Sequence, residues 1–449
     1  MRSRKILNIN RGSILIELSI AIAVCALSFT AIASLIFNRQ IHAVHMQNYR
    51  EALFLAVSNL EKMRVQAATN VLALQDLTST TAHYISPCLL KLSSTAFWDS
   101  TIKNTVSFSS LFTDTTTAKN VDSDCEGSYL PITISSTSTP HINTILLAGT
   151  STAFDVINTM VYITQTIEST STLSIFKSVN ENLLSLGNTL LSLPVMKLDA
   201  TKDTVYVALN GTHDQFQIVD VKDSSNPKII ASASLPGVAG EYPAAASITY
   251  YNQKVYVGTH RTAGHEFHIF DVSAGAAHWL GSIELNHNIN SIAIREPYAF
   301  LATSGNTKDL IILDISNPQR IKQLSSLSLT GNEDALSLFL IGQKIYLGRK
   351  KSLKPADEDI DIISIADPVH PIVIAKNILQ KNIVGLKTYD DYTFLASFDT
   401  TSSLTIVSSA DLKQIQSVPL PYTIKDVDYE NRSAYILSDK ALTSITFLP

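Results

Sequence analysis

The chain has 449 residues, 45% of them hydrophobic and 16% charged. Its sixteen Gly and fifteen Pro exclude collagen-like and Pro/Gly-rich disordered classes, and its length allows two or three domains of about 100–200 residues each. Lys and Arg total 34 against 39 Asp and Glu, and a net charge of −5 argues against a dedicated nucleic-acid binder, whose footprint is basic. Three cysteines are too few for a disulfide-built scaffold.

Residues 1–12 hold Arg2, Arg4, Lys5 and Arg11 and no acid. Across residues 13–37 the sole formal charge is Glu17. As a helix rising about 1.5 Å per residue, such a run crosses the roughly 30 Å hydrocarbon core of a bilayer. The cations ahead of it place the N-terminus in the cytoplasm and everything past Arg39 outside. The run is too long for a secretory signal peptide, and no A-x-A site follows it. A plain anchor explains the length but not the acid, because a carboxylate in hydrocarbon costs several kcal/mol unless partnered.

The block Gly12-Ser13-Ile14-Leu15-Ile16-Glu17-Leu18 resembles the prepilin signal of type IV pilins and type II secretion pseudopilins. That resemblance implies cleavage after Gly12 by a prepilin peptidase and methylation of the new N-terminal amine on Ser13. It also implies that Glu17 pairs with a neighbouring subunit's N-terminus during assembly.

No Gly or Pro occurs between Ser13 and Ser86. Ile41, Val44, Tyr49, Ala52, Leu53, Ala56, Leu60 and Met63 recur at helical spacing, with Arg50, Glu51, Lys62 and Arg64 opposite them. One helix is expected over residues 13–75, transmembrane over 13–37 and amphipathic beyond. Its stretch FLAVSNLEKMR resembles the corresponding helix of V-type minor pilins and I-type pseudopilins. The amphipathic half serves a subunit contact or packing on the chain's own domain equally well.

Residues 76–139 are Ser/Thr-rich and read as a connector with a small irregular head or collar. Cys88 and Cys125 lie within it, whereas Cys25 falls in the apolar run. An oxidising extracytoplasmic compartment would pair them as a disulfide, worth roughly 3–4 kcal/mol by loop closure. No Cys-x-x-Cys pattern supports a metal site there.

From residue 140 onward the chain repeats itself. VYIT, VYVA, VYVG, AFLA, IYLG, TFLA and AYIL place Tyr162, Tyr206, Tyr256, Phe300, Tyr346, Phe394 and Tyr435 in register. Each is followed by a polar hairpin and a second alternating run such as FQIVDV or LIILDI. Several short alternating strands recurring at a period of about 45 residues mark the blades of a β-propeller. FQIVDVKDSSNP and LIILDISNPQ resemble the LVIVD-type repeat of bacterial extracellular propellers, a likeness spanning residues 140–449. The last repeat stops after its third strand, while residues 139–150 match residues 226–237 in their Pro, Ile, Leu and Gly positions. The segment 140–150 is therefore expected to supply the missing outer strand and remove an aggregation-prone edge. The expected fold class is a long pilin-like α-helix, transmembrane in its first half, followed by an all-β seven-bladed propeller over 140–449.

Three clusters carry candidate chemistry. HRTAGHEFH holds His260, His265, Glu266 and His268 on a hairpin, without the H-E-x-x-H spacing of a helical zinc site. Asp357, Asp359 and Asp361 alternate as hard oxygen donors that could hold calcium. The glycine of such a loop is missing, and Arg349, Lys350, Lys351 and Lys354 stand ready to neutralise the acids in a surface hairpin. Asp220, Asp271 and Asp314 end equivalent strands, where they should cap the following turn. No G-x-S-x-G or phosphate-binding loop occurs, so neither an enzyme nor a cofactor is expected.

These readings converge on a minor pilin-like subunit of a type IV pilus or related filament, displaying its propeller for adhesion or surface recognition. A pseudopilin of a type II secretion or DNA-uptake machine contacting cargo is one alternative, and a membrane-anchored propeller enzyme another. The implied partners are a prepilin peptidase, other pilin or pseudopilin subunits, the inner membrane and an extracellular ligand, with nucleic acid disfavoured. The implied location is the bacterial inner membrane as a single-pass protein, then a filament or the cell surface.

Overall fold

A computed structural model describes residues 56–60, 62, 80–86, 89–98, 104–113, 132–135 and 139–447, with gaps at 168–169, 180–181, 239–243, 306, 355–356, 399–400 and 431. The expected fold class is corrected here: among the described residues the α-helical ones are 56–60 and 62, and strands dominate the rest. None of the described helix is long and apolar enough to cross a membrane. The reason is physical. Apolar spacing and a lack of Gly or Pro permit a helix without dictating one, because most helical stability in proteins comes from packing. The leader 1–12, the apolar run 13–37 and most of the segment 13–75 lie outside the described residues.

The chain divides into two compact units, residues 1–81 with 92–110 and residues 82–91 with 111–449. Three strands in the Ser/Thr-rich region, Thr80–Ser86, Leu89–Trp98 and Asn104–Thr113, form a sheet in that order. Leu90, Leu92 and Ser94 are buried on alternate positions, the period-two pattern of a strand with one covered face.

The second unit contains a ring of seven four-stranded antiparallel sheets. Their first strands are Thr150–Ile157, Val195–Ala200, Ala245–Tyr251, Asn288–Arg295, Ala335–Ile341, Asn382–Tyr389 and Ile424–Glu430. Each touches the first strand of the next sheet, and the seventh returns to the first, so these strands are innermost. Second and third strands are buried nearly throughout, as in Val161–Ile163 and Leu310–Leu313, whereas fourth strands such as Lys228–Ala233 and Ile372–Asn377 are largely exposed. This architecture is a β-propeller.

The seven in-register aromatics of the second strands are all buried. They fill the gaps between sheets: Tyr206 stacks on Tyr250 of the third sheet at 5.1 Å, and Phe394 on Tyr429 of the seventh at 4.5 Å. Such pairs add about 0.5–1.5 kcal/mol beyond their burial. A twisted sheet cannot sit flat on its neighbour, and a large ring on a short strand fills the wedge that this leaves.

Three consecutive strands of the seventh sheet, Ile424–Glu430, Ser433–Ser438 and Ala441–Thr446, are joined by His141–Leu146 as the fourth. Its register pairs Ala441 with Leu146 and Thr446 with His141, and the Thr144 and Thr443 hydroxyls meet at 3.1 Å. Between this sheet and the first, Phe154, Val156, Val161 and Ile163 pack with Tyr435, Leu437 and Leu442.

Candidate functional site

Every first strand carries a bulge at the same place, leaving Thr152, Met196, Ala246, Asn290, Leu336, Val384 and Lys425 unpaired in their ladders. A bulge re-aims the residues beside it. Three residues further along each strand stand Asp155, Asp199, Thr249, Ala293, Phe339, Lys387 and Asp428. The acids of this row fall on three successive sheets, the seventh, first and second. Each reaches the backbone of the next sheet: Asp428 accepts from the Val156 N–H at 3.0 Å, Asp155 from Ala200 at 2.9 Å and Asp199 from Tyr250 at 2.6 Å.

Cations gather on this arc. Lys387 Nζ is 3.1 Å from Asp428 Oδ1, and Lys197 Nζ meets Asp426 Oδ2 at 2.5 Å. Lys197 belongs to the second sheet and Asp426 to the seventh, so this pair spans the inner edge of the first sheet that lies between them. Burial, then the Asp428 and Asp199 carboxylates, push Asp155 well above the ordinary carboxylate range, against the pull of Lys387. The arc is thus a charged patch at the centre of the ring, with an acid that holds a proton more readily than an exposed Asp.

A second repeated device sits immediately before the third strand. Gln215, Glu266, Asp309 and Asp359 are buried there. Each accepts a backbone N–H from the turn after the fourth strand: Leu235 at 3.0 Å, Leu285 at 2.7 Å, Leu329 at 2.7 Å and Leu379 at 2.8 Å. In each of these four sheets, the second to the fifth, one side chain thereby fixes the link to the next. The signal was present in the sequence as a polar residue preceding each apolar run, but its partner lies about 20 residues away in every case.

Asp357, Asp359 and Asp361 are nearly buried, and their carboxylates have separate surroundings. Asp357 accepts from the Ser352 hydroxyl at 2.9 Å, Asp359 from the Leu379 and Lys381 amides, and Asp361 stands in the field of Arg349. Burial pushes Asp361 up to about 7, with Arg349 opposing. Arg349 is itself fully buried, 3.6 Å from Asp309 and 4.0 Å from Glu333, and it donates to the Thr330 and Glu358 carbonyls. The histidine-rich hairpin does not converge either. Glu266 is engaged by backbone amides, His265 meets Ser282 at 2.6 Å, and His268 is buried against the His265 carbonyl, its pKa pushed down to about 4 by burial. Asp220, Asp271 and Asp314 each accept from the amide two residues on, at 2.9–3.0 Å, capping their turns. Gly12, Ser13, Glu17, Cys88 and Cys125 lie outside the described residues.

Among the described residues, one group of metal-ligating side chains does converge. His83, Asp390 and Asp391 bring one donor atom each within 4.8 Å of one another. Nothing in the local sequence announces it, because His83 lies some 300 positions before its two acids.

A match to the LVIVD repeat family covers residues 288–332, the fourth sheet with its buried Asp309 and its capping Asp314. No curated protein matches the chain. Solved structures similar to it include a chain of a mitotic checkpoint complex, at 14% identity and a TM-score of 0.54, covering 73% of this chain and 97% of that one. The computationally designed Ika8 protein, at 9% identity and a TM-score of 0.47, covers 70% of this chain and 100% of its own. Sqt1 of Saccharomyces cerevisiae gives 10% identity, a TM-score of 0.47, and the same coverage, 70% and 100%. At such identities the likeness concerns the fold alone.

Proposed function

We propose that the chain is a prepilin-processed, minor pilin-like subunit that displays its β-propeller as a binding head for adhesion or surface recognition. One observation carries the reading: the order basic leader, Gly12, Ser13, three apolar residues, Glu17 and a long apolar run. An acid so placed asks for a partner, and the amine freed by cleavage after Gly12 is a cation at the same depth. The ring supports the display role through its size, which is bulky for a repeating shaft subunit and easier to place at a tip. Its fold specifies no ligand.

The test is the mass of the full chain expressed with and without a prepilin peptidase. Loss of residues 1–12 and a methyl group gained on Ser13 are the expected products. A chain that keeps Met1 through Gly12 in the presence of an active peptidase overturns the reading. Glu17→Ala should be cleaved normally yet fail to enter filaments, scored by shearing and immunoblotting.

A further inference from the structure

We infer that His83, Asp390 and Asp391 form a transition-metal site of zinc type, which clasps residues 82–86 to the hairpin between the first two strands of the sixth sheet. His83 Nε2 lies 3.6 Å from an oxygen of Asp390 and 3.6 Å from an oxygen of Asp391. Both separations are too long for a hydrogen bond. That nitrogen is shielded from solvent; with a proton on it the ring pairs with both carboxylates, and a metal ion in the proton's place would take all three donors. One ion resolves the arrangement. Zinc binds imidazole nitrogen and carboxylate oxygen at about 2.0–2.2 Å, which sets tetrahedral donors about 3.3–3.5 Å apart, close to the two separations from His83. An imidazole beside two carboxylates is a mixed donor set that suits zinc, whereas calcium prefers oxygen alone.

The turn is built to hold such a group. Asp390 adopts a left-handed backbone, φ 54°, a conformation that Asp tolerates better than most residues. Its N–H donates to the Ile85 carbonyl at 2.9 Å, and its own carbonyl accepts from the Ser409 hydroxyl at 2.9 Å. The Asp391 carbonyl accepts from the Ser409 amide at 2.9 Å. The backbone of both acids is thus held in one turn, and the backbone bond to Ile85 sets His83 opposite them. The Asp391 side chain is 80% exposed, which leaves the fourth coordination position open to water.

The experiment is calorimetric titration of the full-length, detergent-solubilised, chelator-stripped chain with zinc chloride, beside Asp391→Asn and His83→Gln. One equivalent should bind the unaltered chain and raise its melting temperature. Each substitution should weaken binding by more than about tenfold, a loss that even changes behind the ligands can cause. Asp391→Asn alters an exposed side chain and keeps the fold intact by circular dichroism, so a lost site is not confused with a lost structure. A stripped chain that takes up no zinc, or variants that bind it as tightly as the unaltered chain, would overturn the assignment.

Discussion

Asp361 shows how a single buried acid couples the ring to pH. Its pKa is pushed up to about 7 by burial, so the folded state holds a proton that the unfolded chain releases near pH 4. Stability from this group is therefore greatest below pH 4 and falls as the pH rises from about 4 to 7. Asp361→Asn should unfold at higher urea than the parent at pH 8, by a margin on the order of a few kcal/mol, since each pKa unit is worth about 1.4 kcal/mol. At pH 4 the two should nearly coincide. Arg349 keeps Asp309 and Glu333 as neighbours in the variant, so its charge is not stranded. A variant that is less stable than its parent at pH 8 would show that the Arg349 pairing outweighs burial.

The element scale is governed by close approach. Gly281, in the fourth strand of the third sheet, faces the short 3₁₀ turn Pro318–Arg320 of the fourth sheet. A Cβ there would stand 1.8 Å from the Pro318 carbonyl oxygen, a backbone atom that cannot rotate away. Gly281→Ala should destabilise by about 1–3 kcal/mol through overpacking, read as a lower urea midpoint with an unchanged slope. At this scale the sequence was partly legible. The aromatic of each second strand and the capping Asp220, Asp271 and Asp314 repeat at fixed offsets, so the β-propeller could be read from period alone. The bulges could not, because a one-residue insertion in a ladder shows only against the partner strand. Nor could the roles of Asp155, Asp199 and Asp428, whose amide partners lie on other sheets, up to 272 positions away. The helix expected over 13–75 rests on local spacing alone, and among the described residues the helical ones are 56–60 and 62.

For the whole molecule, what matters is how the ring shuts. Removing residues 141–146 takes away the fourth strand of the seventh sheet and bares Ala441–Thr446 as an edge. At about 1 kcal/mol net per lost backbone hydrogen bond, the deletion should cost several kcal/mol. The bared strand also invites pairing with another chain, so the variant should melt lower and elute as larger species on size exclusion. A monomer with the parent's melting temperature would mean that the ladder contributes little.

Because His141–Leu146 enters the ring beside Ala441–Thr446, tension applied between residues 140 and 447 loads one sheet only. Six sheets would feel nothing until the seventh gave way. The ladder from Ala441–Leu146 to Thr446–His141 would act as a mechanical fuse, opening first and shielding the remaining blades from extension.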